Sequence, residues 1–439
     1  MKTKKEIFAF FSLENKGEEV YQEIYDDSRE VQKGSIFLAI GKGNRYVEQA
    51  RNKGAFILSD QEIPSLSKRL LDFSLWFYDH PEHDIELIGI TGTNGKSTTA
   101  SMVHQLLPHS FLISNVPQDH DTWVIRNTTP YPLSFVKALC EAKKRKKKYV
   151  ILEVSSIAIA EKRLFPLQFQ VLALTNLTSD HLDYHHTLEN YQNTKIDFIN
   201  SQCAEKFIFY DSNILRRITT QFVPVHSFPI LKEGRNTTSF IVEDRKVIRR
   251  RYLPEYHLYN LAIAYAIARY YHQKRQRLYH KMRKISLPKG RHEIVMRKPR
   301  IIVDYAHTAS AFEEMIAESK RTTKGKLYVV FGAGGQRDKS KRALYGEYAF
   351  RYADYAVVSN DNPRYEDPKE IVHDIIAEHP DFFHIEYDRR RAIDQVLLLA
   401  KKEDTVLLVG RGHETIQSVQ GRDIFLSDQE EVKKWRHMR

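Results

Sequence analysis

The segment Thr91–Thr99 (TGTNGKSTT) has the residue types and spacing that bind the phosphates of a nucleotide. It follows an apolar run and precedes a stretch with helical spacing, so backbone amides near a helix N-terminus can approach phosphate oxygens. Lys96 would hold the β- and γ-phosphates, and the Ser97 hydroxyl would coordinate Mg²⁺. Ile90 stands where the general phosphate-loop pattern has its first glycine, so the alternative is an ordinary turn with an incidental lysine.

Two further polar groups follow predicted strands. Glu153 lies near the end of the apolar run Tyr149–Val154. A carboxylate there is costly to bury unless it is paired or bound to a metal, so we expect a second magnesium ligand. His181 lies in Thr175–His185 (TNLTSDHLDYH), a polar segment after another apolar run. Alone, these residues would be read as a salt-bridged acid and a surface histidine; the nearby phosphate loop favours a metal site.

The elements that must position these groups have the pattern of an α/β fold. Short apolar runs alternate with helical segments, which predicts doubly wound, mostly parallel sheets. The expected strands are Ile85–Ile90, Tyr149–Val154, Val171–Thr175, Phe207–Tyr210, Ile301–Val303, Lys326–Phe331, Tyr355–Ser359 and Thr405–Val409. The last four are each followed by a polar or glycine residue: Asp304, Gly332, Asn360 and Gly410. Because ligands bind beyond the carboxyl ends of such strands, these residues are placed to contact one.

Three domains are predicted, at residues 1–83, 84–287 and 288–439. The first is small and mixed α/β, with a strand at Ser35–Ile40 and a helix at Tyr46–Lys53. The polar, proline-containing stretch at residues 79–84 is expected to link it to the second domain.

Composition narrows the class of protein. The formal net charge of +12 fits nucleic acid, a membrane surface or an anionic small substrate. The basic run at residues 143–148 lies at the end of a predicted helix, where cations suit the helix dipole, so we expect no nucleic-acid partner. Two cysteines without metal or redox spacing, and no signal-peptide core, predict a cytoplasmic protein without a disulfide framework. We also expect a monomer without stable membrane association.

Eight motifs in one order make the chain resemble the Mur ligase family from about Asp27 to about Asp428. They are TGTNGKSTT, EVSS, TNLTxDHLDYH, GRHE, DYAHT, GGxRDxxKR, DNPRxEDP and GxGHE. The resemblance implies three domains, which hold a UDP-linked substrate, ATP and the incoming amino acid.

The resemblance also implies a role for individual residues. Catalysis is expected from Lys96, Glu153, His181 and Lys195. ATP contacts are expected from Thr93, Asn94, Gly95, Lys96, Ser97, Thr98, Asn260, Arg291, Asp304 and His307. Metal ligands are expected to be Ser97, Glu153, His181 and Lys195, the last as a carbamate. The UDP-linked substrate would contact Ser28, Arg29, Thr128, Thr129, Ser155 and Arg163. The amino acid would contact Arg337, Asn362, Arg364, Gly410 and Glu414.

The implied reaction is amide ligation at the expense of ATP, with Mg²⁺. ATP phosphorylates a carboxylate, an amine attacks the acyl phosphate, and phosphate leaves. In the family, the DNPR form at Asp361–Arg364 goes with meso-diaminopimelate, whose distal carboxylate an arginine fork can grip. The implied acceptor is UDP-N-acetylmuramoyl-L-alanyl-D-glutamate, a peptidoglycan precursor.

Several positions depart from the family pattern. The usual residues of the family are replaced at four positions, by Ile157, His257, Ala309 and Gln336. In addition, a longer glycine-rich loop of the family is shortened here to Gly41–Arg45. These changes fall mostly on substrate contacts, whereas the ATP machinery is nearly complete. Three alternatives to the implied cell-wall ligase therefore stay open. The chain could be a paralogue that uses a different carboxylate, a non-catalytic binding relative or a folate polyglutamate ligase.

Overall fold

Three α/β units follow one another in the computed structural model, which describes residues 1–234 and 237–437. The first contains strands β1 (Lys2–Thr3), β2 (Val20–Tyr21), β3 (Ile24–Tyr25), β4 (Ile36–Ala39) and β5 (Phe56–Ser59) and helices α1 (Lys4–Phe10), α2 (Val47–Asn52) and α3 (Leu70–Phe77). Strands β3, β4 and β5 form a parallel sheet, and β1 pairs with β2. The predicted strand and helix of this unit are confirmed as β4 and α2. A 3-10 helix at Gly41–Tyr46 forms the short connection after β4.

The central unit is built on a parallel sheet of seven strands. The strands of this sheet are β6 (Glu86–Thr91), β7 (Ser110–Ser114), β8 (Thr122–Val124), β9 (Tyr149–Glu153), β10 (Val171–Leu174), β11 (Glu205–Phe209) and β12 (Val223–Val225). The unit also contains β13 (Ile230–Gly234), β14 (Thr237–Ile241) and β15 (Val247–Arg251), which form a separate sheet. Its helices are α4 (Lys96–Leu106), α5 (Pro132–Lys144), α6 (Ser156–Ala160), α7 (Leu182–His185), α8 (Leu188–Ser201), α9 (Ser212–Leu215), α10 (Glu255–Tyr270) and α11 (Arg275–Lys284). The order β12-β11-β10-β6-β9-β7-β8 places β6 in the middle, with β9 and β10 on either side. The polar segments after these three strands therefore meet at one edge.

The antiparallel sheet β13-β14-β15 was not predicted from the sequence. In β15 the side chains alternate between exposed and buried, with Ile248 and Arg250 inside. Arg250 is satisfied there by the carbonyls of Met282 and Ile285, to which its guanidinium donates at 3.2 and 2.9 Å. A run of arginines conceals the apolar alternation that normally reveals a strand.

The third unit has a six-stranded sheet of order β16-β17-β21-β18-β19-β20. Its strands are β16 (Glu293–Arg297), β17 (Arg300–Asp304), β18 (Leu327–Phe331), β19 (Tyr355–Val358), β20 (His384–Ile385), β21 (Thr405–Val409), β22 (Ile416–Val419) and β23 (Arg422–Phe425), and its helices are α12 (Ala309–Thr322), α13 (Lys341–Tyr352), α14 (Pro368–Ile376), α15 (Arg389–Leu399) and α16 (Asp428–His437). All neighbours pair in parallel except β16 with β17. The predicted mostly parallel α/β fold is confirmed.

Packing continues across the first expected domain boundary. Leu71 and Leu75 of α3 pack in the core that also contains Phe135 of α5, while Leu133 of α5 packs in the core of the first unit. The boundaries near residues 83 and 287 therefore stay a prediction.

Within residues 1–234 and 237–437, none of the helices has the length and apolar character that crossing a membrane requires.

Candidate active site

The phosphate loop lies between β6 and α4, at the carboxyl edge of the central sheet. Gly92 and Gly95 both have positive φ, 138° and 82°. A Cβ atom on Gly95 would come within 2.5 Å of the Asn260 amide oxygen, and one on Gly92 within 2.0 Å of the Thr175 hydroxyl. Only glycine fits this close approach. The loop thus brings α10, through Asn260, against the start of α4.

Side chains from the neighbouring strand hold the loop in place. The amide oxygen of Asn176 accepts from the backbone N–H of Asn94 at 2.9 Å, and the Thr175 hydroxyl donates to the Asn94 carbonyl at 2.5 Å. The Tyr191 hydroxyl donates to the Thr93 hydroxyl at 2.9 Å. Asn176 and Tyr191 received no role from the sequence, although Asn176 belongs to the polar segment after β10. These bonds preorganise the loop before a nucleotide arrives.

Lys96 folds back over the loop that precedes it. Its ammonium donates to the carbonyls of Gly92 and Thr93 at 3.0 and 2.7 Å. Burial lowers the pKa of Lys96, and the nearby carboxylates of Glu153 and Asp180 oppose that shift. The ammonium is therefore held where phosphate oxygens would meet it.

Glu153 is fully buried at the end of β9 and has one free oxygen. Its Oε2 accepts from the Ser97 hydroxyl at 3.0 Å, and Arg291 donates to the same hydroxyl at 3.2 Å. Its Oε1 is buried and has no hydrogen-bond partner among the described residues. Burial raises the pKa of Glu153 against the pull of Lys96 and Arg291. An orphaned carboxylate oxygen beside a hydroxyl suits a hard cation such as Mg²⁺.

Asp180 joins the central unit to the third unit. Its carboxylate lies 3.5 Å from Nε2 of His181, 3.8 Å from Nε2 of His307 and 3.9 Å from the Lys341 ammonium. Burial opposes its ionisation, but His307, His181 and Lys341 keep the pKa of Asp180 below its usual value. Burial lowers the pKa of His181, so its imidazole is held in the neutral, metal-binding form. The sequence assigned no role to Asp180, although it directly precedes His181.

Lys195 lies on α8 and is fully buried beneath the phosphate loop. Its amine donates to the Thr91 hydroxyl at 3.3 Å. Over the described ranges, it forms no ion pair with a carboxylate. Burial, and then the charge of Lys96, lowers the pKa of Lys195 well below its usual value. Burial thus favours the uncharged amine of Lys195, which lies outside the lining of the cleft.

His257 and Asn260 of α10 line the cleft, with Asn260 next to Gly95 of the phosphate loop. The ring Nδ1 of His257 lies 3.1 Å from the Asn260 amide nitrogen, while its Nε2 is buried without a hydrogen-bond partner in the described part of the chain. Burial lowers the pKa of His257 well below its usual range. In the third unit, at the end of β17, the Asp304 carboxylate accepts hydrogen bonds from the backbone N–H groups of His292 and Ala306 at 2.5 and 2.7 Å. These bonds fix the start of the loop after β17.

Two side chains of opposite charge, Arg364 and Glu414, line the part of the cleft that lies in the third unit. Asn362 and Tyr305 donate to the two oxygens of Glu414 at 2.9 and 3.2 Å. Burial, and then Asp361, raises the pKa of Glu414. Arg364 is half-buried with φ of 54° and donates to the Gly335 carbonyl at 2.5 Å. Burial, and then the charge of Arg337, lowers the pKa of Arg364, so its cation gains from an anionic ligand.

The residues expected to contact the acceptor form two separate groups. Thr129 accepts from the backbone N–H of Ser155 at 2.9 Å, and Arg163 donates to the Thr129 carbonyl at 3.2 Å. Ser28 lies in the first unit, where its hydroxyl donates to Gln49 at 2.8 Å. Arg29 is exposed and pairs with Asp27 at 2.5 Å.

Most of the predicted residues line one cleft of about 330 Å³ between the central and third units. Those that line it are Thr93, Asn94, Gly95, Lys96, Ser97, Thr98, Thr128, Glu153, Ser155, His181, Asn260, Arg291, Asp304, His307, Arg337, Asn362, Arg364, Gly410 and Glu414. Those outside its lining are Ser28, Arg29, Thr129, Arg163 and Lys195. The sequence did not single out Asp180, Tyr256, Tyr305 and Lys341, which also line the cleft.

The fold and the cleft define a nucleotide-binding α/β enzyme of the phosphate-loop type. Residues 90–268 match the Mur ligase middle domain, and residues 290–412 match the Mur ligase glutamate ligase domain. The chain is 31% identical over 448 residues to the UDP-N-acetylmuramoyl-L-alanyl-D-glutamate--2,6-diaminopimelate ligase of Aquifex aeolicus, covering 93% of this chain and 92% of that protein. The chain belongs to the Mur ligase family and is an ATP-dependent, ADP-forming amide ligase.

Two solved structures share the fold. One is a UDP-N-acetylmuramoyl-L-alanyl-D-glutamate--2,6-diaminopimelate ligase, with a TM-score of 0.62 and 24% identity over 99% of this chain and 100% of that chain. The other is MurF from Thermotoga maritima in complex with ADP, with a TM-score of 0.69 and 18% identity over 94% of this chain and 96% of that chain.

Proposed function

We propose that this ligase adds meso-diaminopimelate to UDP-N-acetylmuramoyl-L-alanyl-D-glutamate, a step of peptidoglycan precursor synthesis. The observation that carries the proposal is that Arg364 and Glu414 both line the cleft that begins at the phosphate loop. A guanidinium and a carboxylate in the same cleft suit an amino acid with a second carboxylate and a second ammonium. The Aquifex aeolicus relative is named for the same reaction.

The triphosphate would lie on the loop after β6, with Lys96 against the β- and γ-phosphates. An acceptor carboxylate oxygen attacks the γ-phosphorus, and ADP leaves with the electrons of the broken bond. Phosphoryl transfer depends on positioning and charge neutralisation rather than on a covalent catalyst. Lys96 and the helix N-terminus of α4 therefore stabilise the charge that develops on the transferring group.

Ser97, Glu153 and His181 would hold Mg²⁺. When bound, it would neutralise phosphate charge and orient the oxygens for in-line transfer. Glu153 offers its unpartnered Oε1, and His181 offers a neutral imidazole. Asp180 would hold His181 in place and keep His307 and Lys341 near the cleft.

Lys195 is proposed to be carbamylated. A neutral buried amine attacks carbon dioxide, and the product loses a proton to give a carbamate anion. That anion would offset the positive charges of Lys96 and the metals, and would offer oxygen ligands to Mg²⁺. Burial lowers the pKa of Lys195, which has no carboxylate partner in the described residues, and so favours the uncharged amine from which such a carbamate forms.

The amino acid would bind with its distal carboxylate on Arg364 and its distal ammonium on Glu414. The reacting amine then points back toward the acyl phosphate, attacks the acyl carbon and displaces phosphate. Arg364 donates to only one carbonyl among the described residues, so most of its guanidinium is free for a bidentate ligand. The acceptor would contact Thr128, Thr129, Ser155 and Arg163, and its uridine diphosphate would extend to Ser28 and Arg29.

A second candidate is ligation to a different acceptor carboxylate. It is favoured by the short 3-10 helix Gly41–Tyr46, whose first backbone N–H donates to Asp60 and whose Asn44 side chain donates to the same carboxylate. This closed loop leaves fewer groups to enclose a uridine. The proposed ATP and amino-acid sites would be the same for either acceptor carboxylate.

The test is product formation from defined substrates. With UDP-muramoyl dipeptide, meso-diaminopimelate, ATP and Mg²⁺, we expect ADP and phosphate in equal amounts, and no turnover when either the acceptor or the amine is omitted. Lys96→Ala should reduce turnover by orders of magnitude, whereas the exposed Lys42→Ala should not. Formation of AMP and diphosphate would contradict the mechanism, and turnover only with another carboxylate would select the second candidate.

A further inference from the structure

The connection between α3 and β6 carries two histidines and a glutamate within four residues. The segment is Asp79–Asp84 (DHPEHD), and its second half is a 3-10 helix at Pro81–Asp84. Ligand atoms of His80, Glu82 and His83 all lie within 4.8 Å of one another. The sequence pattern indicates only a polar linker here, and the ligase reaction uses none of these side chains.

The glutamate lies between the two imidazoles. Its Oε1 is 2.9 Å from Nδ1 of His80 and 3.6 Å from Nε2 of His83. The two rings are nearly parallel, with centroids 5.0 Å apart. Nitrogen and oxygen donors from one four-residue segment thus lie within 4.8 Å of one another.

The second carboxylate oxygen of Glu82 is the atom that argues for a bound cation. Oε2 is buried and has no hydrogen-bond partner in the described part of the chain, and the whole side chain is only 12% exposed. Leaving a carboxylate oxygen dehydrated and unpaired costs free energy. The contact with Nδ1 of His80 satisfies Oε1 but leaves Oε2 without a partner in the described residues. A cation bound by all three side chains satisfies the group as a whole.

The backbone of this connection is strained in a way that places the ligands. Asp79 and His80 are consecutive non-glycine residues with φ of 55° and 51°. Such conformations are unfavourable and persist where the surrounding structure holds them. Here the Lys2 ammonium holds Asp79 at 2.7 Å, and Pro81 follows directly. The turn directs His80 back toward Glu82.

We propose that His80, Glu82 and His83 form a site for a transition-metal dication, with Zn²⁺ as the reference ion. Two imidazoles and a carboxylate are a common protein ligand set for zinc, with water as the fourth ligand. Zinc bonds of about 2.0–2.1 Å place tetrahedral ligand atoms about 3.3 Å apart. The observed spacings approach this value, and His83 is 73% exposed and free to turn the remaining distance.

The position of the site gives it a role distinct from catalysis. It precedes β6, whereas the phosphate loop follows β6, so a strand of six residues, roughly 20 Å at 3.3 Å per residue, separates them. The cluster lies where the first unit joins the central unit, next to α3, which packs in both cores. Asp72 and Glu86 line the same surface depression and add negative potential. A bound metal would therefore stiffen the connection between α3 and β6.

The experiment is a Zn²⁺ titration of the metal-free full chain in competition with a chromophoric chelator. Saturating Mg²⁺ and a non-hydrolysable ATP analogue are present to occupy the catalytic cleft. We expect the wild type to bind one more equivalent of Zn²⁺ than the variant His80→Ala/His83→Ala. The matched control His280→Ala/His373→Ala removes two exposed histidines elsewhere and should retain that equivalent.

Two further measurements keep the result interpretable. Glu82→Gln preserves shape and should weaken the same equivalent by more than about tenfold, since a neutral amide replaces a charged ligand. Zn²⁺ should raise the unfolding temperature of the wild type but not that of the double variant, because only the folded site binds it. Equal stoichiometry and equal thermal shifts in the wild type and the double variant would overturn the proposal. ADP formation in the absence of Zn²⁺ tests the ligase function separately.

Discussion

The Ser97 hydroxyl donates a hydrogen bond to Oε2 of Glu153 at 3.0 Å, while Oε1 of the same carboxylate is buried without a partner in the described residues. One residue comes from the first turn of α4 and the other from the end of β9. The pair is half of the proposed Mg²⁺ site, and it depends on the pairing of β6 with β9.

Glu153→Gln should lower turnover by about a hundredfold or more and raise the Mg²⁺ concentration required for half-maximal activity, because it removes a charged metal ligand. The fold should survive, since the change also removes a buried carboxylate with one unsatisfied oxygen. Initial rates across a Mg²⁺ series and a thermal unfolding curve measure both effects. Glu189→Gln, on the exposed side of α8, is the control. An unchanged Mg²⁺ requirement would remove Glu153 from the metal site.

Lys195→Ala should be nearly inactive, because the proposed carbamate is lost. Added bicarbonate together with a short carboxylic acid should restore part of the activity, since the acid can occupy the vacated space. Lys195→Arg should also be inactive and should not be rescued, because a guanidinium forms no carbamate. Full activity of Lys195→Ala would end the carbamate proposal.

Arg364→Ala should reduce kcat/KM for meso-diaminopimelate by a factor corresponding to about 2–5 kcal/mol, the cost of breaking a buried charged pair. The value for L-lysine, which lacks the distal carboxylate, should change much less. Side-by-side kinetics with the two amines measure the difference, and the exposed Arg422→Ala serves as control. If the wild type uses both amines equally, Arg364 is not the selecting residue.

His292 makes folding stability dependent on pH. Burial lowers its pKa to about 3, from an ordinary value of 6.5. Between these values the unfolded chain binds a proton that the folded chain does not, so stability falls as the pH drops below about 6.5. The slope is about 1.4 kcal/mol per pH unit for this one group.

His292→Asn should therefore flatten the dependence of unfolding free energy on pH between about 6 and 4, measured by urea titration. Asparagine suits the left-handed backbone at this position, where φ is 42°. His280→Asn, at an exposed site, should leave the slope as it is in the wild type. Identical slopes in all three proteins would show that His292 does not set this part of the profile.

UDP-muramoyl dipeptide should bind more weakly than micromolar, because the groups that would hold its nucleotide already have partners. Ser28 donates to Gln49, and Arg29 pairs with Asp27, whose pKa the Arg29 hydrogen bond lowers to about 2. The ligand must displace these bonds. Calorimetry in the presence of a non-hydrolysable ATP analogue measures the affinity. A dissociation constant in the low micromolar range or below would contradict this prediction and favour the muramoyl acceptor.

Features that depend on contiguous residues could be predicted from the sequence. The phosphate loop is one, because its glycines, Lys96 and Ser97 follow one another along a single strand–turn–helix unit. The parallel strands are another, since buried runs alternating with helices have few other ways to pack. The antiparallel sheet was missed because the arginines of β15 conceal its apolar alternation.

Relationships between distant segments were decided by the tertiary structure. The sequence indicated Lys195 only through a family resemblance, whereas the fold buries its side chain and thereby lowers its pKa. Asp180 acquires His307 and Lys341 as neighbours only when the third unit closes on the central one.

The sequence by itself therefore determined which chemical groups this ligase has and where each stands relative to its own strand or helix. The tertiary structure decided which of them meet, which are buried and what charge each holds. The physical reason is that the backbone pattern sets local geometry, whereas desolvation and charge–charge distances exist only once separate units have packed together.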